Sequence, residues 1–139
     1  MPAEVFLDAA YAIALAAPSD QLHPRAVALA ERLEGGRTPM VTTQAVLLEI
    51  GNALSKRRYR SAAVELLSAL VADPSIEVVP LSSELYAEAF DLYRGRSDKE
   101  WGLIDCASFV VMKARGITEA LTADEHFEQA GFRALLREP

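Results

Sequence analysis

Strand-length apolar runs alternate with helix-length stretches along this chain, and that alternation limits the fold more than any other feature. Val5 to Leu7 reads as a short buried strand, and residues 9 to 17 as an Ala-rich helix stopped near Pro18-Ser19-Asp20. Pro24 suits an early position of the next helix, which Gly35-Gly36 ends. Met40 to Thr42 is a second strand. Thr43 is placed to cap the helix after it, on which Val46, Ile50, Ala53 and Leu54 form an apolar stripe. A helix over 61 to 71 is broken by Asp73-Pro74, and Ile76 to Leu81 is a third strand. Ser82 or Ser83 then caps a helix to about Tyr93. A polar loop from Gly95 to Gly102 leads to a helix over Leu103 to Arg115, apolar on nearly all sides and closed by Gly116. Glu119 to Thr122 is a fourth strand, residues 124 to 130 a short helix, and Phe132 to Leu136 a last strand. Such an order predicts an α/β layer structure with a mainly parallel sheet, whose ligands sit outside the carboxyl ends of the strands.

Four acids break this pattern of burial. Asp8 follows Val5-Phe6-Leu7, Glu49 interrupts Val46-Leu47-Leu48-Glu49-Ile50, Asp105 is the only charge between Glu100 and Lys113, and Asp124 follows Ala120 to Ala123. An ionised carboxylate in a dry interior is costly unless it is paired or holds a metal. The sequence offers no matching set of buried cations, so one shared divalent cation would satisfy the four together. Oxygen donors without His or Cys suit Mg²⁺ or Mn²⁺. Singly, each acid has a plainer reading. Asp8 and Asp124 fit helix N-caps, Glu49 fits a helix boundary, and Asp105 fits a dipole-favoured first turn.

Composition narrows the setting. With 139 residues, half of them hydrophobic, the chain is expected to form one globular domain spanning 1–139. A net charge of −6 argues against simple electrostatic adhesion to nucleic acid or anionic membrane, and would suit a basic partner protein. The lone Cys106 allows no disulfide within the chain and predicts a core thiol in a reducing, cytoplasmic setting. Glu4 and Asp8 stand where a signal peptide would carry positive charge, and the apolar run from Ala9 to Ala17 is too short to span a bilayer. No membrane association is expected.

Four segments in series resemble the PIN-domain nucleases, and most closely the VapC-type toxins of toxin–antitoxin pairs. They are Val5-Phe6-Leu7-Asp8, the stretch from Thr43 to Leu54 around Glu49, Trp101 to Phe109 around Asp105, and Ala120 to Phe127 around Asp124. The resemblance implies a three-layer α/β/α fold, metal-dependent endoribonuclease activity on RNA, a homodimer, and a cognate antitoxin that blocks the active site. It carries the family's acidic positions onto Asp8, Glu49, Asp105 and Asp124. On this reading Asp8 and Asp105 ligate the metal directly, and Asp124 and Glu49 ligate directly or through water. One departure is Ala10, where many relatives place Ser or Thr; that hydroxyl is then either missing or supplied from elsewhere, with Thr43 and Thr122 as the candidates.

The remaining polar features are more ordinary. Asp98, with Ser97 and Glu100 beside it in a pattern like a capping box, reads mainly as a helix start or solvated loop, with a peripheral metal or substrate role as the lesser reading. Lys56-Arg57-Arg58-Tyr59-Arg60 reads as a solvated helix end favoured by the dipole, or as a contact for RNA phosphates or an antitoxin. Arg94, Arg96 and Lys99 flank the predicted rim, where they would steer RNA or simply make a polar loop. Trp101 fits packing between loop and helix better than base stacking. His126 reads as a surface helix residue that could assist Asp124. Two other classes were weighed. A haloacid-dehalogenase-type phosphatase would want an Asp where Ala10 stands, and a receiver domain would want an acidic pair and a late Lys that are not evident. A non-catalytic interaction domain on the same fold would not need all four acids.

Overall fold

The computed structural model describes residues 3–139. Its order is β1 (Val5–Leu7), α1 (Ala9–Ala16), α2 (His23–Gly35), β2 (Met40–Thr43), α3 (Gln44–Ala53), α4 (Arg57–Ala72), β3 (Ile76–Val79), α5 (Ser83–Gly95), α6 (Leu103–Arg115), β4 (Glu119–Leu121), α7 (Glu125–Gln129) and β5 (Arg133–Ala134). The strands form one sheet in the order β3-β2-β1-β4-β5, and all four pairings are parallel. Helices flank the sheet, as the alternating sequence predicts. β1 is central, and its three residues are fully buried. Asp8 therefore leaves the sheet at its middle, between the ends of β2 and β4.

Capping follows the residue types. Thr43 Oγ1 accepts from the Val46 N–H at 3.1 Å, and Ser82 Oγ accepts from Leu85 N–H at 3.1 Å. Gly116 ends α6 in the left-handed region, at φ 69°. α6 buries Cys106, Ala107, Ser108, Phe109, Val111 and Met112, which confirms it as the deep helix and Cys106 as a core thiol. Among the described residues, no helix is long and apolar enough to cross a membrane.

Three expectations need correction. α4 begins at Arg57 rather than 61, so Arg57, Arg58 and Arg60 occupy its first turn. The helix dipole disfavours cations there, so the dipole does not account for the basic run. β3 ends at Val79 rather than Leu81; Asp98, by contrast, sits in a turn of the expected polar loop, and α6 begins only after Gly102. The last strand is two residues long rather than five. After Ala134 the chain enters a 3-10 turn over Leu135–Arg137, within which the Leu136 N–H donates to Thr122 O, just past β4, at 3.1 Å.

Candidate functional site

The strand ends and two helix starts bring the acids to one rim. Asp8 follows β1, Asp124 stands just beyond β4 at the head of α7, Asp105 lies in the first turn of α6, and Glu49 lies in the second turn of α3. Burial and mutual repulsion act on three of them. Glu49 is pushed up to about 7 by burial and then by the charges of Asp8, Asp105 and Asp124. Asp8 is pushed up to about 6, chiefly by burial, against the pull of the Thr122 hydroxyl; Asp105 and Asp124 add to the rise. Burial also raises Asp105, while His126 and the Gly102 N–H hold it back.

Local roles do not use these acids up. Asp8 occupies the N-cap position of α1 but makes no capping hydrogen bond, so a cap alone does not explain it. Asp105 Oδ2 accepts from the Gly102 N–H at 3.2 Å, and Asp124 Oδ1 accepts from the His126 N–H at 2.9 Å. Each leaves a further carboxylate oxygen and open lone pairs facing the cluster.

His126, which reads as a surface residue in the sequence, belongs to the site. Its Nδ1 lies 3.1 Å from Asp105 Oδ2 and 3.3 Å from Asp124 Oδ1. Its N–H donates to Asp124 Oδ1 in a tight turn at the head of α7, but its approach to Asp105, 21 residues away, is set by tertiary packing. Phe127 fixes that turn. It is fully buried, packed edge-on to Phe109 with ring centroids 4.9 Å apart and tilted against Phe6 at 6.4 Å.

One ligand atom each from Asp105, Asp124 and His126 falls within a group 4.8 Å across. Metal–oxygen bonds of about 2.0–2.6 Å let one cation span such a group. Asp8 and Glu49 face it from the adjoining strand and helix. The donor set fits a divalent cation, with mostly carboxylate oxygens and one imidazole nitrogen.

Of the two candidate hydroxyls for the one missing at Ala10, Thr122 reaches the acids. Its Oγ1 donates to Asp8 Oδ2 at 2.7 Å and accepts from the Asp124 N–H at 3.1 Å. Thr43 is spent on the α3 cap. Asp98 and Arg96 do not join the cluster. They pair with each other, Arg96 Nε and Nη2 donating to the two Asp98 oxygens at 3.0 and 3.1 Å. Trp101 packs rather than projects: it is buried, edge-on to Phe109 at 5.0 Å, with Nε1 donating to Gln129 Oε1 at 3.0 Å.

The PIN-domain family model matches residues 5–133, a span that takes in all four acids. The chain belongs to the PIN-domain family. Over 129 residues it is 30% identical to the 23S rRNA-specific endonuclease VapC20 of Mycobacterium tuberculosis, a match covering 92% of this chain and 95% of that protein. Its PIN fold superposes on the crystal structure of M. tuberculosis VapC20, described as a Sarcin-Ricin loop cleaving toxin, with a TM-score of 0.79 and 28% identity over 92% of this chain and 95% of that one. It also superposes on VapBC2 from Rickettsia felis bound to a DNA fragment from their promoter, with a TM-score of 0.69. There the identity is 13% over 94% of this chain and 96% of that one, which speaks for the fold alone. The three-layer α/β/α architecture and the VapC-type homology expected from the sequence both hold.

Proposed function

We propose that this PIN-domain protein is a metal-dependent endoribonuclease, the toxin of a toxin–antitoxin pair, working in the cytoplasm as a homodimer. The observation that carries this is the convergence of Asp8, Glu49, Asp105 and Asp124 from four separate elements on the carboxyl edge of a parallel sheet. Nothing in the fold itself calls for four carboxylates there, and their mutual repulsion is relieved by a cation.

Asp105, Asp124 and His126 would hold Mg²⁺ or Mn²⁺, with Asp8 and Glu49 completing the shell directly or through water. A divalent cation held by these residues would supply polarisation of a phosphate oxygen and a water of lowered pKa. The chain's own part is to fix geometry. Thr122 orients Asp8, the Gly102 N–H orients Asp105, and the start of α7 orients Asp124. His126 sets the Asp105 and Asp124 carboxylates at one spacing. The substrate class is structured RNA, by homology with a ribosomal RNA endonuclease. An open apolar groove of about 760 Å³ between α1, α2 and α4, lined by Leu15, Leu33, Leu66 and Leu70, supports an antitoxin helix as partner.

The test is incubation of ribosomal RNA with purified protein and Mg²⁺ or Mn²⁺, with EDTA, and with Asp8→Asn. Metal-dependent cutting that falls at least ~100-fold in the variant is expected. Undiminished cutting by a folded Asp8→Asn protein would remove Asp8 from the mechanism. No cutting and no Mn²⁺ binding by the wild type would leave an interaction domain instead.

A further inference from the structure

Three aromatic rings stand in a row on the outside of α5. Tyr86, Phe90 and Tyr93 are spaced four and three residues apart, which sets them on one helix face. Their rings follow one another in a stack, with centroids 6.4 and 6.5 Å apart and planes inclined by 12° and 28°. Folding does not account for them. α5 buries Leu85 and Ala89, while the three rings stay 51, 40 and 48% exposed. A contiguous apolar patch kept in water marks a contact surface.

Cations run through the row. The Arg94 guanidinium lies 5.5 Å over the Phe90 ring, and the Arg96 guanidinium lies 4.9 Å over Trp101. Their acidic partners, Asp91 and Asp98, are themselves well exposed. Such surface pairs contribute little and exchange readily for a phosphate. Rings and cations together line a groove of about 700 Å³ whose wall includes Gly102. The Gly102 N–H is held by Asp105 Oδ2, so the groove and the acid cluster share a wall.

We propose that the Tyr86–Phe90–Tyr93 row is a stacking track for an unpaired stretch of the RNA substrate, with Arg94 and Arg96 on its phosphates, leading the strand to the acid cluster. This rests on the ribonuclease reading. Aromatic faces interleaved with Arg bind single strands, because every unpaired base offers a π-face, whereas bases within a duplex do not. The rival occupant is a second copy of this chain. It would use the apolar area, but it gives no reason for cations in the row or for the groove wall to include Gly102, whose N–H Asp105 holds.

The experiment measures anisotropy of a fluorescent single-stranded oligoribonucleotide with the Asp8→Asn protein, alone and with Phe90→Ala, Tyr93→Ala or Phe90→Leu added. Cleavage by the same three variants with Asp8 intact is measured alongside, and sedimentation velocity gives their oligomeric state. Phe90→Leu keeps apolar bulk and loses the π-face. The expected result is binding weakened about tenfold by each change, Leu included, with cleavage lost in KM rather than kcat and the oligomeric state unmoved. Unchanged binding, with wild-type cleavage intact, overturns the track and leaves the nuclease standing. Dissociation of an oligomer in the Ala variants, with Leu tolerated, assigns the face to a second copy. A wild type that neither binds nor cuts RNA with Mn²⁺ sinks both readings.

Discussion

Thr122 Oγ1 donates a 2.7 Å hydrogen bond to Asp8 Oδ2, tying the end of β4 to the end of β1 beneath the acid cluster. The same oxygen accepts from the Asp124 N–H, so one fully buried hydroxyl holds the Asp8 carboxylate and the backbone that carries Asp124. Thr122→Val keeps the shape and the strand preference and removes only the polar contact. Groups that orient metal ligands typically carry 10–100-fold in metal affinity. We expect Mn²⁺ binding, measured by calorimetry, to weaken by roughly that factor while the far-ultraviolet circular dichroism stays native. Wild-type affinity in a folded Thr122→Val protein would show that Asp8 needs no such orientation.

His126 makes a sharper prediction because its two neighbours are both acids. With Nδ1 at 3.1 and 3.3 Å from Asp105 and Asp124, it either donates a proton to one of them or contributes its lone pair to the cation. His126→Ala removes both options and leaves the two carboxylates repelling each other. Cutting and Mn²⁺ affinity should each drop roughly 10–100-fold. His126→Asn places an amide N–H near the position of Nδ1. Rescue by Asn but not Ala identifies donation as the role, and failure of both identifies ligation. Full activity in the Ala variant would return His126 to the surface role its sequence context suggests.

Much of this was legible in the sequence because the signals were local. The α6 boundaries follow from Gly102, a run of apolar residues and Gly116, and the acids stood out because each broke an apolar run. What was missed depends on tertiary placement. His126 looks exposed in a short polar helix, and only the packing of Phe127 against Phe6 and Phe109 turns it inward. The early start of α4 puts residues of poor capping chemistry at a helix N-terminus, where no side chain caps the first turn. The short β5 gives way to a 3-10 turn whose Leu136 N–H donates to Thr122 O, a contact that no residue preference encodes.

Gly116 separates stability from activity. It closes α6 at φ 69°, about 15 Å along the helix from Asp105, and a Cβ there would meet nothing within 4 Å. Gly116→Ala therefore costs backbone conformation alone, about 1 kcal/mol. Urea denaturation should give that loss with RNA cutting and Mn²⁺ binding unchanged at a temperature where the protein is folded. A loss of activity beyond the unfolded fraction would mean that the far end of α6 communicates with its start.

The acid cluster makes the cation-free protein less stable as pH rises. Asp8 titrates near 3.8 in the unfolded chain and about 6 in the folded one; Glu49 moves from 4.5 to about 7, and Asp105 also moves up. Folding therefore takes up protons across this interval. The stabilisation by neutral carboxyls is complete below about pH 4 and is lost as pH climbs through 6 and 7. Asp8, almost wholly buried, accounts for about 3 kcal/mol of it. Exposed acids held low by Arg, such as Asp98 and Glu138, act in the opposite sense, but only below about pH 4, outside the interval. Thermal unfolding in EDTA should accordingly give a Tm roughly 5–10 °C higher at pH 5 than at pH 8. Mn²⁺ at pH 8 should recover the difference by binding the folded state alone. Asp8→Asn should raise the Tm at pH 8 in EDTA, flatten the dependence on pH and lose most of the gain from Mn²⁺. A Tm in EDTA that is level or rising from pH 5 to 8 would mean that the four carboxylates do not share one desolvated site.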